Sequence, residues 1–153
     1  MNTCAPFSIT VDSPKATFAL GRRLAPLLTD GDVVLLNGRL GAGKTLFVGG
    51  IAEGLGITEA VTSPTFVIVK QYEGFLRLTH VDAYRLGGTA ELADLDLLDN
   101  PGVLVVEWGE AIESSIGPDH LTIRIDHLSE TSRAIVFEPR GTWQTREIDR
   151  VLP

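Results

Sequence analysis

One segment of the chain has the residue types and spacing of a phosphate-binding loop. Residues 38 to 45 read GRLGAGKT, which fits the pattern of a glycine, four residues, a glycine, a lysine and a hydroxyl residue. The ammonium of Lys44 would neutralise the β- and γ-phosphates of a nucleotide, and Thr45 would place its hydroxyl on a bridging Mg²⁺ ion. The expected nucleotide contacts are Gly38, Gly41, Ala42, Gly43, Lys44, Thr45 and Leu46.

Acidic residues that could complete such a site follow two apolar stretches. Glu107 directly follows the apolar run of residues 103 to 106, and a carboxylate at the end of a neighbouring strand can hold the Mg²⁺ shell or polarise water. Asp82 ends another predicted strand and is the second candidate, with a structural salt bridge as the alternative. Either carboxylate could act on the metal directly or through water. The predicted catalytic residues are Lys44, Asp82 and Glu107, and the predicted metal ligands are Thr45, Glu107 and Asp82.

Three neighbouring features support this interpretation and leave alternatives open. Strand alternation puts His80 on the side of Asp82, and because the histidines lack zinc-ligand spacing, a core or supporting hydrogen bond is favoured for His80. Trp108 is either a packed aromatic residue or a contact to the ligand or a partner. The sequence TSPT, residues Thr62, Ser63, Pro64 and Thr65, is either a segment that senses the γ-phosphate or an inert loop.

The elements that must position these residues alternate between strands and helices. Residues 12 to 14, Asp-Ser-Pro, predict the start of a helix, and Pro26 is expected to distort or end its last turn. The Gly49-Gly50 pair in the second helix indicates close packing on the sheet. Predicted strands are residues 7–11, 33–36, 66–72, 76–81, 103–106, 121–125 and 134–137, and predicted helices begin at residues 14 and 44, with a short one at 91–98. The pattern predicts one α/β domain over residues 1–153 with a mixed sheet.

Composition narrows the classes of function. The chain has 153 residues and a formal net charge of −7, and because it lacks a local basic cluster we expect no broad nucleic-acid-binding face. The one cysteine, Cys4, excludes an internal disulfide framework. Apolar runs are too short for a membrane span and no signal peptide is recognised, so the expected location is the cytoplasm.

The motifs GRLGAGKT, TSPTF, HVDAYRL and VEWGE, in this order and at these spacings, resemble the TsaE (YjeE) family. The resemblance covers about residues 8–137 and leaves a tail of about residues 140–153. It implies a P-loop NTPase-like α/β fold and a Mg²⁺-dependent ATPase, slow alone, that works with the TsaD and TsaB proteins. Their product would be N6-threonylcarbamoyladenosine (t6A) in tRNAs that read codons beginning with adenine, with tRNA contacted only through the complex.

The resemblance also assigns roles to residues one by one. The lysine and threonine of the family's loop fall on Lys44 and Thr45, its aspartate on Asp82, and its VEW glutamate and tryptophan on Glu107 and Trp108. An arginine near the nucleotide base corresponds to Arg133, and Asp12 and Ser13 are further positions that could approach the base. The residues assigned to the switch or the partner surface are Thr62, Ser63, Pro64, Thr65, His80, Tyr84, Arg85 and Trp108.

Three other functions compete with this interpretation. A small-molecule or nucleoside kinase could use the same loop, but no insertion is long enough to supply an acceptor pocket and a lid. A GTP-dependent switch lacks the Asn-Lys-x-Asp sequence that reads guanine. In a nucleotide-loaded interaction module, hydrolysis would merely reset a complex, which overlaps with the leading interpretation.

Overall fold

The structure, a computed structural model, describes residues 3–63, 69–83 and 101–153. Within those ranges the chain forms a seven-stranded mixed sheet and two α-helices, which confirms the predicted α/β class. The strands are β1 (Phe7–Val11), β2 (Val33–Gly38), β3 (Val69–Tyr72), β4 (Leu78–Asp82), β5 (Val103–Glu107), β6 (His120–His127) and β7 (Arg133–Arg140), and the helices are α1 (Pro14–Leu24) and α2 (Lys44–Gly54). The order in the sheet is β1-β7-β6-β2-β5-β4-β3, with β2 at the centre.

The centre of the sheet is parallel and places three strand ends side by side. β5 runs parallel to both β2 and β4, and every residue of β4 and β5 is buried. Strands covered on both faces need apolar side chains on both, which explains the continuous apolar runs in β2 and β5. The register pairs Glu107 with Leu36 on one side and with Asp82 on the other. Both carboxylates therefore lie at the sheet edge where β2 leads into the glycine loop.

The outer strands are antiparallel and close the sheet on both sides. β6 pairs with β7 and β1 pairs with β7, whereas β3 and β4 form the predicted hairpin on the opposite side. The predicted strand segment 66–68 and the predicted helix 91–98 lie outside the described residues. No helix in the described ranges is long and apolar enough to span a membrane.

The first helix begins and ends as predicted. The hydroxyl of Ser13 accepts a hydrogen bond from the backbone N–H of Ala16 at 3.1 Å, and a proline occupies the first turn. α1 ends at Leu24, and the chain tightens into a 3-10 helix over Ala25–Leu27 that contains Pro26. Other 3-10 helices of the described chain span Gly109–Ala111, Glu113–Ser115, Gly141–Thr145 and Ile148–Val151.

The glycines of α2 bring the two helices together, so the prediction that Gly49-Gly50 packs on the sheet is wrong. A Cβ on Gly50 would lie 2.0 Å from the carbonyl oxygen of Phe18 in α1. On the other helix, a Cβ on Gly21 would lie 2.2 Å from the carbonyl oxygen of Phe47. The backbones of α1 and α2 touch directly at these points, which fixes the position of α2 and of the loop that precedes it.

The C-terminal segment is tied to the start of β2 by a partly buried ion pair. Both guanidinium Nη atoms of Arg146 donate to the carboxylate of Asp32, each at 2.7 Å. The same guanidinium lies 4.0 Å from the centroid of the buried Trp143 ring. Asp32, the residue just before β2, also accepts a hydrogen bond from the backbone N–H of Thr29 at 2.6 Å. These donors compensate the negative charge of its carboxylate.

Candidate functional site

The glycine loop borders a cavity at this sheet edge. Gly41 and Gly43 have φ angles of 80° and 111°, a backbone region that residues with a Cβ rarely adopt, which explains the two glycines. Gly43 then precedes α2, whose first N–H groups need acceptors. The cavity has a volume of about 560 Å³ and is lined by Leu40, Gly41, Ala42, Gly43, Lys44, Thr45, Ser63, Asp82, Glu107 and Trp108.

The ammonium group of Lys44 is buried in this cavity wall. Its Nζ donates to the carbonyl oxygens of Gly38 at 2.5 Å and Arg39 at 3.2 Å, and it lies 4.1 Å from the centroid of the Trp108 ring. Burial lowers the pKa of Lys44 below its ordinary value, and the carboxylates of Glu107, Glu110 and Asp82 act in the opposite direction. The loop therefore holds a desolvated cation with carboxylates around it.

Trp108 takes an unusual backbone conformation to reach that position. Its φ of 61° makes it the one residue other than glycine with a positive φ in the described chain. A bulky residue in this region costs on the order of 1–2 kcal/mol, so the surrounding contacts must hold it there. Its backbone N–H donates to Leu36 at 2.8 Å, and the next turn is fixed by the N–H of Glu110, which donates to the side chain of Asn37 at 3.0 Å.

The carboxylate of Glu107 joins the loop helix to the neighbouring strand. The hydroxyl of Thr45 donates to Glu107, with distances of 3.0 Å to Oε2 and 3.3 Å to Oε1. His80 Nε2 lies 2.5 Å from the same Oε2. Asp82 and Glu107 are both buried and both line the cavity. The structure thus brings together the predicted Lys44, Thr45, Asp82 and Glu107, with His80 behind them.

The predicted switch segment is only partly within the described chain. Ser63 lines the cavity, and Thr62 accepts a hydrogen bond from the ammonium of Lys70 in β3. The other residues assigned to the switch or partner surface, Pro64, Thr65, Tyr84 and Arg85, lie outside the described residues.

The residues predicted to approach the nucleotide base lie on another side of the loop. Arg133 Nε donates to the carbonyl oxygen of Ala42 at 3.0 Å, and its Nη1 donates to the carbonyl oxygens of Ser129 and Ser132, both at 2.9 Å. Leu46 and Arg133 both line a small cavity of about 110 Å³ beside the loop. The hydroxyl of Ser13 caps α1, so its described contact is within its own helix.

Two residues of the site were not predicted from the sequence. Leu40 lines the main cavity although its side chain is 88 % exposed at the tip of the loop. Glu110 contributes to the electrostatic surroundings of Lys44. Glu110 could have been predicted from its place in the VEWGE motif, because it lies three residues after Glu107.

The polar side chains of this site are the ammonium of Lys44 and several oxygen-bearing groups that could bind a metal ion. A lysine, a hydroxyl, two carboxylates and the N-terminus of α2 suit a phosphate chain together with a hard divalent cation, which prefers oxygen ligands. In the described ranges, no group of three or more His, Cys, Asp and Glu side chains is arranged to hold a metal ion. The residues present fit Mg²⁺ in the form that needs only Thr45 and a carboxylate from the protein, with phosphate and water completing the shell.

Comparison with known proteins gives one consistent result. The profile of the family "Threonylcarbamoyl adenosine biosynthesis protein TsaE" matches residues 11–135. The chain is similar to the tRNA threonylcarbamoyladenosine biosynthesis protein TsaE of Streptomyces coelicolor, with 53 % identity over 70 % of this chain and 76 % of that protein. It is similar to the protein of the same name from Bacillus subtilis, with 43 % identity over 84 % of this chain and 83 % of that protein.

A solved structure is similar to this chain in both fold and sequence. The crystal structure of YdiB from Bacillus subtilis superimposes with a TM-score of 0.78 and 35 % identity, and the match covers 94 % of this chain and 92 % of YdiB. The sheet, both helices and the glycine loop described above therefore belong to a fold that has been observed experimentally.

Proposed function

The chain belongs to the TsaE family, and from that membership we propose that it serves tRNA threonylcarbamoyladenosine biosynthesis as a Mg²⁺-dependent ATPase. The observation that carries the ATPase proposal is the convergence of Lys44, Thr45 and Glu107 at one cavity next to the N-terminus of α2. A phosphate chain in that cavity would meet a cation, a helix N-terminus and a hydroxyl that already contacts a carboxylate.

The residues divide the reaction between them. Lys44 would exchange its contacts with Gly38 and Arg39 for the β- and γ-phosphates, where its charge is needed. Thr45 and Glu107 would hold Mg²⁺, which supplies charge neutralisation at the phosphates. We assign Asp82, the other carboxylate that lines the cavity, to orient the attacking water. Water oxygen bonds to the γ-phosphorus, the bond to the bridging oxygen breaks, a carboxylate accepts the proton, and ADP and phosphate leave.

Partners follow from the same proposal. The acidic chain, with a formal charge of −7, is unsuited to binding tRNA over a broad face, so tRNA would be reached through TsaD and TsaB. We define the loop-tip surface as Arg39, Leu40 and Trp108. Leu40 and Trp108 line the main cavity, all three residues line a neighbouring cavity, and Arg39 and Leu40 are exposed. An exposed leucine beside a tryptophan and an arginine has the composition of a protein interface.

The cellular location consistent with tRNA modification is the cytoplasm.

Nucleotide binding is the first test of the ATPase proposal. We expect isothermal titration to detect ATP binding that strengthens with Mg²⁺, that GTP in excess does not displace, and that Lys44→Met abolishes. Lys15→Met is the matched control because Lys15 is exposed on α1, away from the cavity. Equal ATP binding by the Lys44 and Lys15 variants would refute the assignment of the loop. If ATP turnover yields a phosphorylated small molecule in place of inorganic phosphate, the result would support the alternative function as a small-molecule or nucleoside kinase.

The loop-tip surface is tested by substituting one exposed leucine within it and one exposed leucine elsewhere as the control. Leu40→Ser should weaken binding to TsaD, measured in the presence of Mg²⁺ and ATP, whereas Leu128→Ser should not. Leu128 is 57 % exposed on the turn between β6 and β7 and is the control for a lost surface leucine. Trp108→Ala and Thr65→Ala test the wider switch region. Unchanged TsaD binding by the Leu40 and Trp108 variants would refute this surface, and unchanged binding by Thr65→Ala would refute a role of the switch segment.

A further inference from the structure

His80 makes one polar contact, and that contact is with the carboxylate at the centre of the site. Its side chain is fully buried in β4, and its Nε2 lies 2.5 Å from Glu107 Oε2. Its Nδ1 is buried and has no hydrogen-bond partner among the residues that the structure describes. The imidazole therefore faces Glu107 with one nitrogen and the core with the other.

This asymmetry indicates where the ring proton lies. A buried N–H without an acceptor costs more than a buried ring nitrogen that lacks a donor. The arrangement of lower energy is the one in which the Nε2–H donates to the carboxylate of Glu107. His80 is then a hydrogen-bond donor with a single acceptor, Glu107.

The carboxylate of Glu107 is held from two sides by elements of different origin. Thr45 donates to it from the first turn of α2, and His80 contacts it from the adjacent parallel strand β4. With Oε2 fixed between these two groups, rotation of the carboxylate would break both hydrogen bonds. Since a buried strand positions its side chain more rigidly than a loop does, the contact to His80 sets the orientation that Glu107 presents to the cavity.

We propose that His80 is a positioning residue that orients Glu107 for Mg²⁺ through a hydrogen bond from its Nε2–H. This inference rests on the proposed function, in which Glu107 helps to hold Mg²⁺ at the nucleotide site. Groups that orient a metal ligand from behind typically change metal affinity or activity by about 10- to 100-fold when they are replaced. His80 acts through Glu107 and does not itself touch the nucleotide.

The test uses two amide variants that differ in reach. The side-chain amide of His80→Gln can occupy the place of Nε2 and donate to Glu107, whereas that of His80→Asn ends near the place of Nδ1 and falls short. The measured quantity is the gain in ATP affinity on changing from EDTA to Mg²⁺. We expect His80→Asn to reduce this gain by about 10-fold or more, with affinity in EDTA unchanged, and His80→Gln to retain most of it.

His120 provides a matched control in the same sheet. It is also a buried histidine, at the start of β6, and its Nδ1 contacts the carbonyl oxygen of Gly117 at 3.0 Å. His120→Asn should leave the Mg²⁺ gain unchanged, which separates the loss of a buried imidazole from the loss of the Glu107 contact. Nitrogen NMR of the nucleotide-free wild type gives a second readout, with Nε2 of His80 expected to carry a proton.

The outcomes separate this inference from the proposed function. A wild-type protein that does not bind ATP refutes the proposed function. A wild type with a clear Mg²⁺ gain that His80→Asn retains in full overturns the positioning role alone. A proton on Nδ1 of His80, with Nε2 bare, overturns it as well, and this measurement does not depend on whether either variant folds.

Discussion

Replacing Gly50 by alanine tests whether the contact between the two helices sets the geometry of the site. The new Cβ would lie 2.0 Å from the carbonyl oxygen of Phe18 and 2.9 Å from the backbone nitrogen of Arg22, and real Cβ atoms almost never approach within 3.0 Å. Because both neighbours are backbone atoms, relief requires α2 to shift by about 1 Å, and overpacking of this kind costs up to about 3 kcal/mol. Alanine regains about 1 kcal/mol of helix propensity.

The net expectation for Gly50→Ala is a loss of about 2 kcal/mol in the free energy of unfolding, or about 4–8 °C in Tm. Gly49→Ala is the matched control, since its Cβ would meet only the ring edge of Phe18 at 3.3 Å. That variant should be as stable as wild type or gain up to about 1 kcal/mol. Urea denaturation of both proteins makes the comparison. Equal stability of the two variants would refute the account of the helix contact.

Two further predictions concern charge. Lys44→Met removes a desolvated cation, so it should unfold at the same or a higher urea concentration than wild type. Because the pKa of Lys44 is lowered in the folded protein, the unfolded chain binds more protons than the folded one as the pH approaches the ordinary value of 10.5. The stability of the wild type relative to Lys44→Met should therefore rise with pH in that range. A stability difference that does not change with pH would contradict the burial of this ammonium group. Arg146→Ala leaves the buried carboxylate of Asp32 without its guanidinium and should cost about 2–4 kcal/mol by urea denaturation without changing ATP affinity; a loss of less than about 0.5 kcal/mol would place the pair among exposed ion pairs.

Features coded by neighbouring residues were predicted from the sequence. Ser13 before a proline marks the start of α1, and the glycines of the loop lie where φ is positive. The apolar run before Glu107 is the buried strand β5, and the carboxylate follows it at the sheet edge. Each of these depends on local propensity or on strand alternation, which a single sequence carries.

Features that join distant segments were not predicted. The sheet order places β2 between β5 and β6, and no local pattern specifies which strands become neighbours. Gly50 packs against α1 and not against the sheet because a glycine pair signals a close approach without naming the partner. The contact of His80 with Glu107 joins residues 27 positions apart, and it became visible only when β4 and β5 were seen to pair.

The proposed ATPase activity is tested by measuring phosphate release from ATP by this protein, alone and then with its cognate TsaB and TsaD. Lys44→Ala and Glu107→Ala serve as the controls that remove the loop cation and the proposed Mg²⁺ carboxylate. We expect slow release by the protein alone, faster release with the partners, and loss of release in the Lys44 variant. Rapid release that does not respond to the partners and persists in Lys44→Ala would contradict it.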